Sequence, residues 1–239
     1  YGRADRLIRV SICIGTYGSD EWRRLAEERA LPSARAQDAE VLIDHAPGGT
    51  VSSVRNGLAE RAKGDALIFC DGDDTLSLGY VEAMQRAFER ESRDDGTPLL
   101  LTPAVSYVQG GRARPPKIWP AVPFESGNWL VIGTLIPRDL FFRVGGFIDY
   151  GDPPGSNAYE DWSLWARCYK AGAQVIKVPE AVYVAYWDQR SRHRGADHLT
   201  RLGWHYEIGS QLFPDHYPSN WMEVNSGKRF RHRLVKRRR

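Results

Sequence analysis

Ala66-Leu67-Ile68-Phe69-Cys70-Asp71-Gly72-Asp73-Asp74 places five apolar residues directly ahead of three carboxylates within four positions. An apolar run of that length, closed by acids, reads as a buried strand whose C-terminal end delivers charge into a crevice. Three carboxylates so close repel one another unless positive charge sits among them. A hard divalent cation bound through oxygen, Mn2+ or Mg2+, is the usual remedy, and such a cation commonly also carries a substrate phosphate. The segment therefore points to metal-dependent chemistry on a phosphorylated donor. A calcium loop is the competing reading, because Glu82 stands twelfth from Asp71. That loop needs glycine at its sixth position, where this chain has Leu76, and a helix ahead of it rather than a strand, so it is rejected.

Strands and helices alternate on either side. Arg9–Gly15 reads as a first strand, with Thr16-Tyr17-Gly18 as the turn after it. Ser19 or Asp20 caps a helix to about Leu31, where Pro32 follows. Val41–Ile43 is a second strand ending at Asp44, and Pro47–Thr50 leads into a helix from about Ser52 to Lys63 closed by Gly64. Beyond the acids, a helix from about Ser77 to Glu91 sets Leu78, Val81, Met84 and Phe88 on one face. Leu99–Ala104, Trp129–Ile136 and Gln174–Val178 are further strands. Short helices follow Pro137 and, from Glu160 to Ala171, a Gly/Pro-rich run at 149–156. The Gly/Pro-rich loop at 109–128 is long enough to be functional. The alternation predicts an α/β fold with a mostly parallel central sheet flanked by helices.

The 239 residues, 42% of them hydrophobic, suffice for one large α/β domain or two small ones. No run of about 18 apolar residues is present, so no membrane span is expected. Tyr1–Arg6 lack the apolar region of a secretion signal. Cys13 and Cys70 in strands and Cys168 in a helix read as buried reduced thiols, no spacing suggests zinc, and a cytoplasmic location is expected. The net charge of +3 hides an asymmetry: residues 228–239 hold eight Lys/Arg and no acid, leaving 25 basic against 30 acidic residues elsewhere. Such a block is a solvated tail, or it docks peripherally on an anionic membrane surface or on nucleic acid.

In an open α/β sheet, ligands sit at the C-terminal strand ends. Those ends offer Thr16 and Tyr17, then Asp44, then Asp71 with Asp73. Tyr17 presents an aromatic face for a base, and Asp44 can accept from a base N–H or a ribose hydroxyl. Arg55, opening the helix after the second strand, can bridge to the carboxylates or to a phosphate. Glu160 and Asp161 begin a helix right after the Gly/Pro-rich run. They either cap it and complement its dipole, or supply a general base on a rigid element beside a mobile lid. Trp162 and Trp165 are expected to give apolar surface suited to a sugar ring.

Six segments then fall into one order: S-I-C-I-G-T-Y at 11–17, V-R-N-G-L-A at 54–59, G-D-A-L-I-F-C-D-G-D-D at 64–74, L-I-P-R-D-L-F-F-R-V-G-G-F at 135–147, Y-E-D-W-S-L-W-A-R at 159–167 and A-G-A-Q-V-I-K-V-P at 171–179. Over about residues 8–190 this order resembles the family 2 glycosyltransferases of GT-A fold. The resemblance implies a GT-A domain at 1–190, with a nucleotide-sugar-binding half at 8–105 and an acceptor-binding half at 106–190. A C-terminal extension at 191–239 would carry the basic tail. By the same resemblance Thr16, Tyr17 and Asp44 would hold the nucleotide. Asp71 would touch the ribose or the metal, and Asp73 would bind the cation bridging the diphosphate. Asp161 would be the base, with Glu160 beside it, and His193, ahead of Arg192 and Arg190, would supply a further metal or phosphate contact. Two segments depart from the family: Asp44-His45-Ala46-Pro47 stands where an Asp pair followed by Gly or Ser is common, and Gly15-Thr16-Tyr17-Gly18 where Pro-Thr-Tyr-Asn is more usual.

The implied activity is inverting transfer of a sugar from a nucleotide-diphosphate sugar, UDP-sugars favoured, to a hydroxyl on a glycan, a lipid-linked carrier or a protein. A nucleotidyltransferase of related fold would need a basic Gly-rich loop after its first strand, and Gly15–Asp20 has no basic residue. A non-catalytic nucleic-acid-binding protein acting through the tail is another reading, against which the acidic body counts. The two merge if the acceptor is a hydroxylated DNA base, which would have to be flipped out of the duplex.

Overall fold

The computed structural model describes residues 7–150, 159–187 and 198–226. Strand β1 (Val10–Tyr17) lies between β2 (Glu40–Ala46) and β3 (Ala66–Asp71), parallel to both. Ile12, Cys13, Ile14, Leu67, Ile68 and Phe69 are fully buried. Helices cover both faces of these strands, which is why they read as continuous apolar runs rather than alternating ones.

The first crossover is α1 (Asp20–Leu25), a π-helical turn (Ala26–Ala30) and α2 (Leu31–Arg35). Pro32 does not end this path at Leu31, as the sequence suggests. It falls in the first turn of α2, just past the π turn, where a missing N–H is tolerated. Helix α3 (Val51–Arg61) opens with a reciprocal capping box between Thr50 and Ser53. Gly64 does not close it, because the backbone turns extended already at Ala62. A Cβ at Gly64 would lie 2.6 Å from the Ser11 backbone nitrogen, so glycine is there for close approach to β1.

After β4 (Thr75–Leu76), helix α4 (Tyr80–Glu91) starts from Gly79 in the left-handed region at φ 70°. That start leaves Leu78 ahead of the helix and 84% exposed, not on the buried face, which Tyr80, Val81, Met84 and Ala87 supply.

In the second half, β5 (Leu99–Gln109) carries β6 (Arg112–Ala113) antiparallel on one edge and pairs parallel with β8 (Gln174–Tyr186) on the other. Strand β4 adds antiparallel to β8. Between these lie β7 (Ile136–Pro137), α5 (Arg138–Arg143) and α6 (Glu160–Lys170). The strand orders are β2-β1-β3-β7 and β4-β8-β5-β6. Ile136 and Pro137 pair with β3, while Leu135 exchanges two backbone hydrogen bonds with Leu101 (3.1 and 2.9 Å), so three residues join the two sheets. The strand expected at 129–136 shrinks to this junction, because Thr134 N–H turns back to the Val131 carbonyl. The outcome is the expected α/β architecture, with mostly parallel strands and β4, β6 and β7 as antiparallel edges.

Helices α7 (His198–Leu212) and α8 (Trp221–Ser226) follow. Ile208, Leu212, Phe213 and Tyr217 enter the same core as the strands, and Lys170 Nζ donates to the Leu212 carbonyl at 2.6 Å. Cys13, Cys70 and Cys168 are free and buried. No described helix is long and apolar enough to cross a membrane. His193, Arg192, Arg190 and the basic tail at 228–239 lie outside the described residues.

Replacing Gly64 by alanine pushes α3 and β3 off β1. We expect a loss of about 1–3 kcal/mol, the usual penalty for overpacking, read as a lower urea midpoint with an unchanged slope.

Candidate active site

A cleft of about 290 Å³ opens at the C-terminal ends of β1 and β3, lined by Thr16, Tyr17, Trp22, Arg55, Asp71 and Asp73 among others. Thr16 is buried, and its hydroxyl lies 2.9 Å from His45 Nδ1 and 3.4 Å from the Asp44 carbonyl. Gly18, at φ 77°, turns the chain away over the cleft rim. Asp44 lies near the end of β2, outside the lining of this cleft, where it pairs with Arg61 on an exposed surface. A pair so wet contributes little to stability, so Asp44 can exchange partners at small cost.

The acid turn is fixed from beneath. Asp74 N–H bonds to the Asp71 carbonyl, and Arg29 donates to the Asp73 carbonyl at 2.9 Å while lying over the Tyr186 ring. The Tyr183 hydroxyl accepts from Asp71 N–H at 3.1 Å. A Cβ on Gly72 would meet Thr16 Cγ2 at 2.7 Å, so the residue between the two outward acids has to be glycine. Asp71, Asp73 and Asp74 can bring one oxygen each within 4.8 Å of one another. Their roles nonetheless differ. Asp74 is 7% exposed and accepts from Tyr186 N–H at 2.8 Å; burial, then Asp73 and Asp71, push its carboxyl well above the ordinary range. Asp71 and Asp73 face the cleft. Clustered carboxylate oxygens at a cleft wall match what a hard divalent cation selects.

Arg55 connects this turn to the second half. Its side chain is 5% exposed, one nitrogen donating to Asp71 at 2.5 Å and another to Glu160 at 2.7 Å, with the Phe147 ring 5.1 Å away. It therefore makes the bridge to the carboxylates that its sequence position allows. Burial raises Glu160 above the usual carboxylate range, with Arg55 opposing.

Asp161 follows on the first turn of α6. It accepts from Trp162 N–H at 2.7 Å and from Asn128 Nδ2 at 2.8 Å. Burial and the neighbouring Glu160 push its carboxyl up to about 7. The residue ahead of the helix, Tyr159, sits at φ 71°, the one non-glycine at positive φ among the described residues. Its ring packs edge-on to Trp162 and His205. The two tryptophans do not form a sugar platform: Trp162 and Trp165 are fully buried, Trp162 stacking on His205 at 4.5 Å and donating through Nε1 to the Phe124 carbonyl.

Trp22, Gly72, Asn128 and Tyr183 escape the sequence reading. Trp22 has only its closeness in the chain to the first strand end as a signal, whereas the glycine between two acids is visible. Asn128 and Tyr183 reach the site only through tertiary pairing.

A parallel strand pair opening into a cleft, with an Asp-Gly-Asp turn on one wall and an acid-led helix beside it, is the GT-A fold of glycosyltransferases. Solved structures share it. An S. aureus TarS structure in complex with UDP-GlcNAc matches with a TM-score of 0.63 at 15% identity, over 86% of this chain and 65% of that one. GalNAc-T7 with UDP, GalNAc and Mn2+ matches with a TM-score of 0.54 at 15% identity, over 91% of this chain and 50% of that one. In sequence, the chain is 25% identical over 150 residues to YwdF of Bacillus subtilis (strain 168), described as an uncharacterized glycosyltransferase. The match takes in 61% of this chain and 53% of YwdF, so the chain spans about half the length of that relative. No protein-family model matches the sequence.

Removing the Arg55 guanidinium strands Glu160 in the interior. Arg55→Ala should lose about 3 kcal/mol or more in urea unfolding. Arg55→Lys, which keeps the charge but reaches one carboxylate at a time, should lose less than half of that.

Proposed function

We propose that the protein is a metal-dependent, inverting glycosyltransferase that moves a sugar from a UDP-sugar to an acceptor hydroxyl. The observation that carries this reading is the single buried guanidinium of Arg55, which ties the Asp-Gly-Asp turn to the helix end bearing Asp161. A donor diphosphate site and a proton acceptor are thereby held on one rigid frame, as glycosyl transfer requires. The UDP and UDP-sugar held by the structural neighbours support the choice of donor.

On this reading Thr16, Tyr17 and Asp44 take the nucleotide, with Tyr17 offering its ring to the base. Asp73 and Asp71 hold the divalent cation, Mn2+ or Mg2+, which when bound offsets the charge of the diphosphate. Arg55 keeps Asp71 and Glu160 in fixed positions rather than touching the sugar. The Asp161 carboxylate takes the proton of the acceptor hydroxyl as that oxygen forms a bond to the anomeric carbon. The bond from that carbon to the diphosphate oxygen breaks, and the pair of electrons leaves with UDP. Attack from the face opposite the leaving group inverts the anomeric centre. Glu160, engaged with Arg55, is the positioning member of the acid pair.

The test is UDP release from a panel of UDP-sugars with Mn2+ or Mg2+, first without acceptor. Slow hydrolysis of one donor identifies it, and silence across the panel would sink the proposal. Asp161→Asn should lower turnover by about 10²–10⁴-fold and leave metal-dependent UDP binding, read by calorimetry, close to wild type. Because the base works deprotonated and its carboxyl titrates near 7, kcat/KM should climb about tenfold per pH unit below that point and level off above it.

A further inference from the structure

We infer that Asn128 is the positioning residue for the proton acceptor, holding the Asp161 carboxylate in one orientation through a side-chain amide whose own direction is fixed. The inference rests on the reading of Asp161 as the base. Asn128 Nδ2 donates to Asp161 Oδ2 at 2.8 Å, while Asn128 Oδ1 accepts from Leu130 N–H at 3.0 Å. The second bond settles the first. Turning the amide over would set its oxygen against the carboxylate and its NH2 against the Leu130 N–H, losing both bonds at once.

The backbone carrying Asn128 is tied to the same helix and to the C-terminal helices. Trp162 Nε1 donates to the Phe124 carbonyl at 2.9 Å, and the Tyr217 hydroxyl donates to the Glu125 carbonyl at 2.6 Å. A short 3₁₀ turn (Phe124–Ser126) and Gly127 at φ 148° then deliver Asn128. The amide thus belongs to the platform on which α6 rests. It differs from the other donor to Asp161, the Trp162 N–H, which any residue at that position would supply. With one donor on each carboxylate oxygen, the remaining lone pairs are left in a defined plane for an incoming hydroxyl.

Among the described residues, the other charged or titratable groups around Asp161 are Glu160 and Tyr159 ahead of it in the chain, Arg55 on α3, Asp71 on β3, and Arg201 and His205 on α7, which face Tyr159. Among them Arg55 alone acts directly to favour the carboxylate, and it does so from a distance, since its bonds go to Asp71 and Glu160. Asn128 is the side chain bonded to it.

The experiment titrates the Asp161 side-chain carboxyl by ¹³C NMR between pH 4 and 9, assigned by its absence in Asp161→Asn. It is run on wild type, Asn128→Ala and the isosteric Asn128→Asp, with circular dichroism verifying the fold. Loss of a donor to the charged form should move the midpoint up by about one pH unit in Asn128→Ala. Asn128→Asp, which faces the base with a second carboxylate, should move it further. In parallel, UDP release from UDP-GlcNAc with Mn2+ should fall about tenfold in kcat at pH 7 in Asn128→Ala, with the KM for donor unchanged, and recover in part at pH 9. A midpoint that stays at the wild-type value in both folded variants overturns the inference. An Asp161→Asn protein with wild-type turnover instead overturns the base assignment, whatever Asn128 does to the titration.

Discussion

The Arg55 guanidinium is the interaction on which the geometry of this protein depends. It sits almost fully buried between a carboxylate from β3 and one from α6, and these elements come from opposite halves of the chain. Burying a charge is costly unless its hydrogen bonds are answered, and Arg is suited to the task because its planar fork serves two acids at once. The ion pair adds little to net stability relative to an apolar filling of the same space. What it does is specify: docking α6 where Glu160 meets Arg55 answers both charges, and it places Asp161 beside them. A Leu at position 55 would leave that choice to apolar packing alone, and a Lys would tie down one acid at a time.

The sheets make the docking consistent. Strands β1 and β3 end where the cleft begins, as parallel strands covered by helices must, and the acid turn continues β3 without a break. The second sheet meets the first through Leu135 to Pro137, a junction so short that it fixes position without adding a strand. Because β8 runs on to Tyr186, it also returns to the site. The Tyr183 hydroxyl and the Tyr186 N–H bond to Asp71 and Asp74 respectively. The acid turn is therefore gripped by both halves of the molecule, and only Asp71 and Asp73 are turned outward.

Much of the first half was legible because its information is local. Apolar runs at Val10–Ile14 and Ala66–Cys70 and the acids at strand ends follow from the neighbours each residue has in the chain. The second half was read less well, for physical reasons. Pairing at Leu135–Pro137 depends on partners in β3 and β5, far away in sequence, and carries no periodic pattern. Leu78 looked like a face residue because its spacing fits a helix, but Gly79 starts that helix one residue later. Trp162 and Trp165, beside the acid pair, suggest an apolar surface for a sugar ring, yet both are buried. The stack of Trp162 on His205 and the packing of α7 on α6 come from a segment whose contribution no local signal announced. Asn128 was invisible for the same reason: a lone Asn in a Gly/Pro-rich loop shows its role only when Asp161 is brought to it.

Tyr159 has a further consequence. A non-glycine residue at φ 71° holds roughly 1 kcal/mol of backbone strain or more, and here it stands one residue from the acid pair. The strain persists because Trp162 and His205 enclose the ring, and His205 belongs to α7. The aim of the helix end is thus a loaded spring whose catch lies near the far end of the chain. Shortened or swapped C-terminal helices would release it, and the protein would lose accuracy at its cleft while its central strands were still intact. Segments that look like appendages to a parallel-sheet core can in this way set the precision of the cleft beside it.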